Sequence, residues 1–211
     1  MGVLDKRTHH EMHVKIRRKR GPHKLRRATR KKRIRIIVGS ESLFKFGWIC
    51  TDIEYLNLLK EENWSEYFQD NIIDAILAEH VWEHLSSNEA KTAAYICFKY
   101  IKPGGYLRVA VPDGNHPNQN YIEKVRPGGS GAGADEHKAL YTYEKFSKIF
   151  EEMGFHIDLL EYFDENKKFH FKFWNPRDGK IIRSKRFDPR NKHGNLNYTS
   201  LIIDAYKPKL V

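Results

Sequence analysis

From residue 34 onward, short apolar runs rich in β-branched residues alternate with segments that carry helix signals. Such runs are typical of strands buried on both faces, and strands that alternate with helices build a mainly parallel sheet. The sequence therefore predicts an α/β fold with helices on both faces of the sheet and an antiparallel last strand. The predicted strands are Ile34–Val38, Trp48–Thr51, Ile72–Ala78, Tyr106–Val111, Phe155–Tyr162 and Asn197–Ala205.

Helix ends are marked locally. Ser86 followed by Glu89 forms a capping-box pattern at the start of a helix that is predicted to run to about Tyr100. Gly154 is placed to end a second helix, which begins near Tyr143. Both helices fall between predicted strands, as the alternation requires.

Two connections are unusual. Only residues 39–47 separate the first two strands, whereas a crossover between parallel strands needs roughly a dozen residues or more. The first helix is therefore predicted to be shortened or absent. Asp178-Gly179, flanked by the apolar segments 169–174 and 180–183, predicts a β-hairpin insertion near residues 167–187.

The positive charge is concentrated at the N-terminus. The formal net charge is +11, but residues 1–35 contain 15 of the 38 Lys and Arg residues and only Asp5 and Glu11 among the acidic ones. The rest of the chain is close to neutral, so the sequence predicts a basic, disordered tail over residues 1–33 and a folded domain over residues 34–211. The tail either solubilises the domain or contacts a polyanion, a nucleic acid or an acidic membrane surface.

Cysteine use and hydropathy bear on the compartment. Cys50 and Cys97 lie in apolar contexts, which predicts free buried thiols rather than a disulfide or a metal site. There is no apolar run long enough to cross a bilayer and no secretory-type N-terminus. A cytoplasmic protein is the expectation.

Two motifs separated by one helix resemble those of a known family. Ile73–Leu85 ends in E-H-V-W-E-H-L, and Ile101–Val109 carries K-P-G-G-Y-L-R. Together they resemble the fourth-strand motif and the turn into strand five of class I S-adenosylmethionine-dependent methyltransferases. Val109–Gly114 (V-A-V-P-D-G), His137-Lys138 and Tyr198–Ala205 are similar to stretches of a group of predicted methyltransferases described only as S-adenosylmethionine-dependent. The resemblance spans about residues 34–207 and implies a Rossmann-like sheet with S-adenosylmethionine as cofactor.

The cofactor residues are expected where the first strands end. Gly39 and Ser40 follow the first strand and let the backbone approach an adenosyl group, and Asp52 ends the second strand, where a carboxylate can bind ribose hydroxyls. Asp52 has the alternative role of capping a short helix that contains Leu56 and Leu59. Phe68 is either part of the adenine wall or a core residue. Unlike the usual turn with two or three glycines, this one has a single glycine before Gly47.

The acceptor residues are expected at the same edge of the sheet. Methyl transfer to a hydroxyl or amine needs a general base, for which the candidates are His80, His137 and Asp113. Glu79 and His80 also end the third strand, where the cofactor binds. The remaining candidates are expected to bind the substrate: His116, Tyr141, Arg183 and Arg186. Two alternatives stay open: Asp113 marks a plain turn, and segment 183–191 is a solvated loop.

A metal site is not predicted. His84 lies four residues after His80, so on a helix the two would share one face with Glu83 nearby. The spacing is not His-Glu-x-x-His, and the sequence shows no third ligand. We therefore assign no metal ligands from the sequence.

Three functions fit these observations. The first is methyl transfer from S-adenosylmethionine to a hydroxyl or amine of a small-molecule or sugar acceptor, an anionic one if Arg183 and Arg186 bind it. The second is a nucleic-acid methyltransferase anchored by the basic tail. The third is a binding module that keeps the fold without catalysis, an alternative raised by the short glycine turn.

Overall fold

A computed structural model describes residues 21–23, 25–27, 32–40, 46–191 and 193–209. It contains seven strands: β1 (Arg35–Val38), β2 (Ile49–Cys50), β3 (Ile73–Glu79), β4 (Ile101–Pro112), β5 (His156–Phe163), β6 (Phe169–Phe171) and β7 (Ser200–Tyr206). The helices between them are α1 (Glu61–Ser65), α2 (Ser87–Tyr100), α3 (Gln119–Val125) and α4 (Tyr143–Glu151). None of the helices in the described residues is long and apolar enough to cross a membrane.

The strands form one mixed sheet in the order β2-β1-β3-β4-β7-β5-β6. The β1–β2, β1–β3 and β3–β4 pairs are parallel, while β7 runs antiparallel to both of its neighbours, β4 and β5. Strands β1 to β5 therefore share one direction, and only β6 and β7 are reversed. This confirms the predicted Rossmann-like sheet with an antiparallel last strand.

The helices α1, α2 and α4 cover one face of the sheet. Trp64 of α1, Ala93 of α2 and Phe150 of α4 are fully buried against strand residues such as Ile76. The predicted capping box starts α2: Ser86 Oγ accepts from the Glu89 N–H, and Glu89 Oε2 accepts from the Ser86 N–H at 2.7 Å. Burial of these apolar faces provides the main driving force for folding.

Part of the basic N-terminal segment belongs to this core. Residues 21–23 and 25–27 are helical, and Leu25 is 0% exposed within the main apolar cluster. The prediction of a disordered tail up to residue 33 is therefore wrong for these residues, because a single leucine among the basic side chains is buried by the domain. The rest of the tail prediction falls mainly on residues 1–20, 24 and 28–31, which lie outside the described residues.

The long loop between β6 and β7, which we call the covering loop, covers the second face of the sheet. Trp174 and Ile181 are buried on Ile37 and Leu77, so in the described residues this face is covered by loop side chains where the sequence predicts helices. The backbone comes so close that a Cβ on Gly179, whose φ is +110°, would lie 3.2 Å from Leu77 Cδ1. Glycine is the residue that tolerates both this φ and this approach.

The predicted hairpin across Asp178-Gly179 does not form. β6 instead pairs antiparallel with β5, with Phe163 opposite Phe169, so the hairpin turn lies at residues 164–168. Pro176–Asp178 is a 3-10 turn, and residues 180–183 are not a strand. Burial of Trp174 and Ile181 on the sheet outweighs the turn preference of the Asp-Gly pair.

A buried ion pair joins this loop to the sheet. Arg108 of β4 and Asp204 of β7 are each 3% exposed in their side chains and form two hydrogen bonds of 2.7 Å, from Nε and Nη2 to the two carboxylate oxygens. The third guanidinium nitrogen, Nη1, donates to the Gly179 carbonyl at 2.7 Å, and the guanidinium lies 5.0 Å from the Trp174 ring.

Candidate functional site

The parallel strands end together at one edge of the sheet, which we call the carboxyl edge. Val38 of β1 is in register with Ala78 of β3, and Glu79 of β3 is in register with Ala110 of β4. The segments that follow these strands therefore meet at the same edge. Ligands in open α/β sheets bind at this edge.

The turns after β1 and β2 are bonded to each other. Ser40 donates to the Thr51 carbonyl from its N–H at 3.1 Å and from its hydroxyl at 2.9 Å, and Thr51 donates from both N–H and hydroxyl to the Ile37 carbonyl. Gly39 has a φ of +59°, and a Cβ there would lie 2.8 Å from Val81 Cγ2. The structure thus holds Gly39 and Ser40 beside the end of β2, as the sequence predicts.

Asp52 follows β2 at the carboxyl edge and is 8% exposed. Its Oδ1 accepts from the Ile53 N–H at 2.8 Å, and its carbonyl accepts from the N–H groups of Tyr55 and Leu56. The residue therefore caps a turn, whereas the short helix that the sequence offered as its alternative role does not form over residues 53–59. Asp52 nevertheless directly follows Thr51, whose carbonyl is bonded to Ser40.

Phe68 lies away from the carboxyl edge. It is 4% exposed and packs on Trp64, whose ring is 5.5 Å from that of Tyr100. Tyr100 directly precedes β4, so this aromatic group lies where strands begin rather than where they end. Phe68 occupies the core, the second of the two roles that its sequence context allows.

His80 lies at the centre of the carboxyl edge. Its backbone has a φ of +57°, a conformation that is costly for a residue with a Cβ, and its N–H donates to the Ala110 carbonyl at 2.8 Å. The imidazole Nδ1 lies 2.8 Å from Glu83 Oε1, and Nε2 lies 2.9 Å from Ser200 Oγ. With the Nδ1 proton facing the carboxylate, Nε2 accepts from the Ser200 hydroxyl.

Glu83 joins His80 to a second pair of histidines. Its side chain is 0% exposed, and its pKa is below the ordinary value: burial raises it, but His80 and, to a smaller extent, His84 lower it by more. The rings of His84 and His137 meet edge to face with centroids 4.8 Å apart. Potential ligand atoms of Glu83, His84 and His137 all lie within 4.8 Å of one another. The fold therefore brings together two predicted catalytic histidines, His80 and His137, through a glutamate that was not assigned a role.

Glu79 anchors the covering loop. Its Oε2 accepts from the Ile182 N–H at 3.0 Å and its Oε1 from the Arg183 N–H at 2.7 Å. The carboxylate that the sequence places among the cofactor ligands thus holds the loop at the end of β3. Arg183 is thereby brought to the carboxyl edge, with its side chain exposed.

Tyr198 forms a wall beside His80, with ring centroids 6.4 Å apart. The Arg190 guanidinium lies 3.4 Å from the centroid of the Tyr198 ring, and Arg190 is ion-paired to Asp188. Burial raises the pKa of Tyr198, while Arg183 and Arg190 oppose that effect. This tyrosine was not assigned to the site from the sequence, although it begins the last stretch of the family resemblance.

Asp113 is completely buried. Its Oδ1 accepts from the Asn115 N–H at 2.8 Å and its Oδ2 from the Phe163 N–H at 2.7 Å, which ties the end of β4 to the end of β5. Burial raises its pKa to about 6 despite these bonds. Both carboxylate oxygens are occupied and no part of the residue is exposed, so its geometry is that of a structural group.

His116 is buried in the same corner and is 1% exposed. Its Nδ1 accepts from the Asn118 N–H, its Nε2 contacts the Leu196 carbonyl, and its ring stacks on Tyr121 at 4.0 Å. Burial lowers the pKa of His116 to about 4, so the imidazole is neutral at pH 7.

Two predicted substrate residues are occupied elsewhere. Tyr141 is 7% exposed and packs on Phe146, and it lines an open groove of about 400 Å³ between α2 and α4 that includes none of the other predicted site residues. Arg186 donates to the Trp174 carbonyl at 2.8 Å and stacks on Phe173 and Phe187. The guanidinium therefore holds the covering loop together.

Comparisons with known proteins show which structures share this fold. No protein-family model and no curated protein sequence matches this chain. An O-methyltransferase family protein from Burkholderia thailandensis superposes with a TM-score of 0.50 at 10% identity, covering 97% of this chain and 61% of that one. A SAM-dependent methyltransferase from Archaeoglobus fulgidus gives a TM-score of 0.47 at 16% identity, covering 95% and 100%. The chain shares its Rossmann-like fold with the Burkholderia protein.

Proposed function

We propose that this protein transfers a methyl group from S-adenosylmethionine to a hydroxyl or amine of a small acceptor. The observation that carries the proposal is the carboxyl edge itself: Gly39 and Ser40 are bonded to the end of β2 beside Asp52, and His80 follows the adjacent β3. The fold similarity to the O-methyltransferase family protein from Burkholderia thailandensis agrees with this proposal.

The residues at this edge fit an adenosyl cofactor in part. The positive φ of Gly39 lets the backbone pass close to a ligand, and Asp52 places a carboxylate two residues after β2, with Oδ1 accepting from the Ile53 N–H. Asp52 would accept from the ribose hydroxyls. When bound, the cofactor supplies an already activated methyl group, so the protein mainly has to align the acceptor.

His80 is the general base in this proposal. Its Nε2 would take the acceptor proton in place of the bond from the Ser200 hydroxyl, and Glu83 beside Nδ1 would stabilise the resulting imidazolium. Tyr198 would pack against the acceptor, and the exposed Arg183 would favour one that carries an anionic group.

The test is calorimetric titration of S-adenosylmethionine and S-adenosylhomocysteine into wild type, Asp52→Ala and Asp70→Ala. Asp70 is the matched control because it is an exposed aspartate that precedes β3, away from the carboxyl edge. We expect Asp52→Ala to weaken binding roughly tenfold or more, since a hydrogen bond to a charged group contributes about 1.5–3 kcal/mol. Asp70→Ala should bind as wild type does.

Failure of both ligands to bind at millimolar concentration would contradict the enzyme function and leave a binding module on the same fold. Equal weakening in both variants would contradict the role of Asp52. Once binding is established, a screen of hydroxyl and amine acceptors with the wild type and Arg183→Gln would identify the acceptor class.

A nucleic-acid acceptor is the second candidate. It is favoured by the 15 basic residues within residues 1–35 and by Leu25, whose burial keeps part of this segment on the domain. Binding of this kind weakens steeply as salt increases, because phosphate contacts release counterions. Deleting residues 1–20, which removes seven of these basic residues, should weaken RNA or DNA binding, make it less dependent on salt and leave S-adenosylmethionine binding unchanged.

A further inference from the structure

We propose that Glu83, His84 and His137 bind a divalent transition-metal cation. Their potential ligand atoms lie within 4.8 Å of one another, a separation that small side-chain rotations can close to the ligand spacing around one ion. The binding site stands independently of methyl transfer, since it rests on these three side chains and not on the cofactor turn.

The backbone holds the two contributing segments together. Glu83 and His84 lie on the 3-10 turn Trp82–His84, and His137 follows a second 3-10 turn, Ala134–Glu136. The Glu83 carbonyl accepts from the N–H groups of Lys138 and Ala139 at 2.7 and 3.1 Å. Residues more than 50 positions apart in the sequence are thus fixed side by side.

His137 is oriented as a ligand. Its Nδ1 lies 2.7 Å from the Val125 carbonyl, so Nδ1 carries the proton and donates it there. The lone pair on Nε2 is then available. A hydrogen bond from the other ring nitrogen to a carbonyl is the arrangement that fixes the tautomer and orientation of metal-bound histidines.

The burial of Glu83 is a second observation in favour of a bound ion, independent of the spacing of the three side chains. The Glu83 side chain is completely buried. The 2.8 Å contact of Oε1 with His80 Nδ1 is an ion-pair contact and leaves Oε2 without a partner in the described chain. Buried carboxylates are costly unless they are paired, hydrogen-bonded or bound to a metal.

The donor set selects the class of ion. Two imidazoles and one carboxylate suit Zn²⁺, Fe²⁺ or Co²⁺, whereas Mg²⁺ and Ca²⁺ prefer oxygen ligands. Three protein ligands leave at least one coordination position open, as in metal sites that bind a small ligand or water. The sequence showed no third ligand because His137 comes from a different loop, joined to the His84 turn only by the fold.

The experiment titrates Zn²⁺ by calorimetry, and Co²⁺ by visible absorption, into full-length protein stripped with a chelator. The variants are His137→Ala and Glu83→Gln, with circular dichroism to establish that each is folded. His156→Ala is the matched control, since His156 is exposed at the start of β5. A further control replaces His9, His10 and His13 by alanine, because these clustered histidines could bind metal by themselves.

We expect one equivalent of either ion to bind to the wild type and both controls, and at least a tenfold loss of affinity in His137→Ala and Glu83→Gln. Absence of binding to the wild type would overturn the proposal. So would unchanged affinity in His137→Ala, or loss of binding only when the N-terminal histidines are replaced. If Glu83→Gln does not fold, His137→Ala decides the outcome.

Discussion

Two of the buried carboxylates, Asp204 and Glu83, have completely different surroundings. Asp204, between β4 and β5, is 2% exposed and accepts two 2.7 Å hydrogen bonds from Arg108. Glu83, beyond the end of β3, is 0% exposed and has a single ion-pair contact with His80 in the described residues. Both oxygens of Asp204 are hydrogen-bonded to Arg108, whereas Glu83 Oε2 has no partner in the described residues.

The partner explains what each carboxylate can do. Arginine stays protonated in proteins, so Arg108 cannot lose its charge and needs Asp204 permanently. A histidine partner, unlike an arginine, can accept or donate a proton and can bind a metal ion. An ion pair that cannot change is suited to holding the loop on the sheet, whereas a pair that can change is suited to proton transfer or ion binding.

The largest effect is expected from breaking the satisfied pair. Asp204→Ala leaves the Arg108 guanidinium buried without its counter-charge, which typically costs about 3–5 kcal/mol of unfolding free energy. Urea denaturation followed by circular dichroism measures this loss. Because the guanidinium also donates to Gly179, the covering loop should become more susceptible to limited proteolysis.

The double variant Arg108→Met with Asp204→Leu is the control for that prediction. Replacing both members of a buried pair by apolar residues of similar volume is often neutral or stabilising. It should therefore retain most of the wild-type stability. A double variant as unstable as Asp204→Ala would mean that packing, and not the unpaired charge, is responsible.

A smaller effect is expected from the buried corner of Asp113 and His116, and it depends on pH. The folded chain keeps His116 neutral down to about pH 4, whereas the unfolded chain protonates it below 6.5, so its contribution to stability is lost as the pH falls between these values. Asp113, with a pKa raised to about 6, acts in the opposite sense: its contribution falls as the pH rises from about 4 to 6. The two contributions, each about 3 kcal/mol in full, largely cancel.

His116→Gln removes one of these contributions. Its unfolding free energy should fall more steeply than that of the wild type as the pH rises from about 4 to 6, because only the Asp113 contribution remains. Urea denaturation across this range, with the exposed His156→Gln as control, measures the slopes. Parallel profiles for His116→Gln and the wild type would show that His116 titrates alike in the folded and unfolded chains.

The fold was largely predictable because strand burial is a local property. Apolar β-branched runs such as Ile34–Val38 located the strands, and the Ser86 and Glu89 pattern located the start of α2. The covering loop was not predictable: Trp174 and Ile181 are buried on strands distant in sequence, and local turn preference favoured a hairpin instead. Leu25 was missed because a lone apolar residue in a basic segment has no periodicity.

The candidate site was predictable only in its location. The ends of the strands, and with them Gly39, Asp52 and His80, followed from the sheet. Which side chains are free at that edge depends on long-range hydrogen bonds. Asp113 looked like a catalytic carboxylate but is occupied by the Asn115 and Phe163 N–H groups. Glu83, to which the sequence analysis assigned no role, is the buried carboxylate with the fewest partners in the described chain.

The smallest effect on stability is expected from Glu83→Gln. The substitution replaces the buried carboxylate by a neutral amide of similar shape, so the change should be within about 1 kcal/mol, the net value of a typical hydrogen bond. Urea denaturation in the presence of a chelator measures it, next to Asp204→Ala. The contrast between the two carboxylates holds if Asp204→Ala loses several times as much unfolding free energy as Glu83→Gln.

Adding Zn²⁺ to the same pair of experiments sharpens the contrast. An ion that binds only the folded state stabilises it by RT ln(1 + [L]/Kd), about 2.7 kcal/mol at one hundred times Kd. The wild type should gain stability with Zn²⁺ and Glu83→Gln should not, while Asp204→Ala should gain as much as the wild type from its lower starting point. A loss of several kcal/mol in metal-free Glu83→Gln would contradict this contrast, because it would make Glu83 as much a part of the scaffold as Asp204.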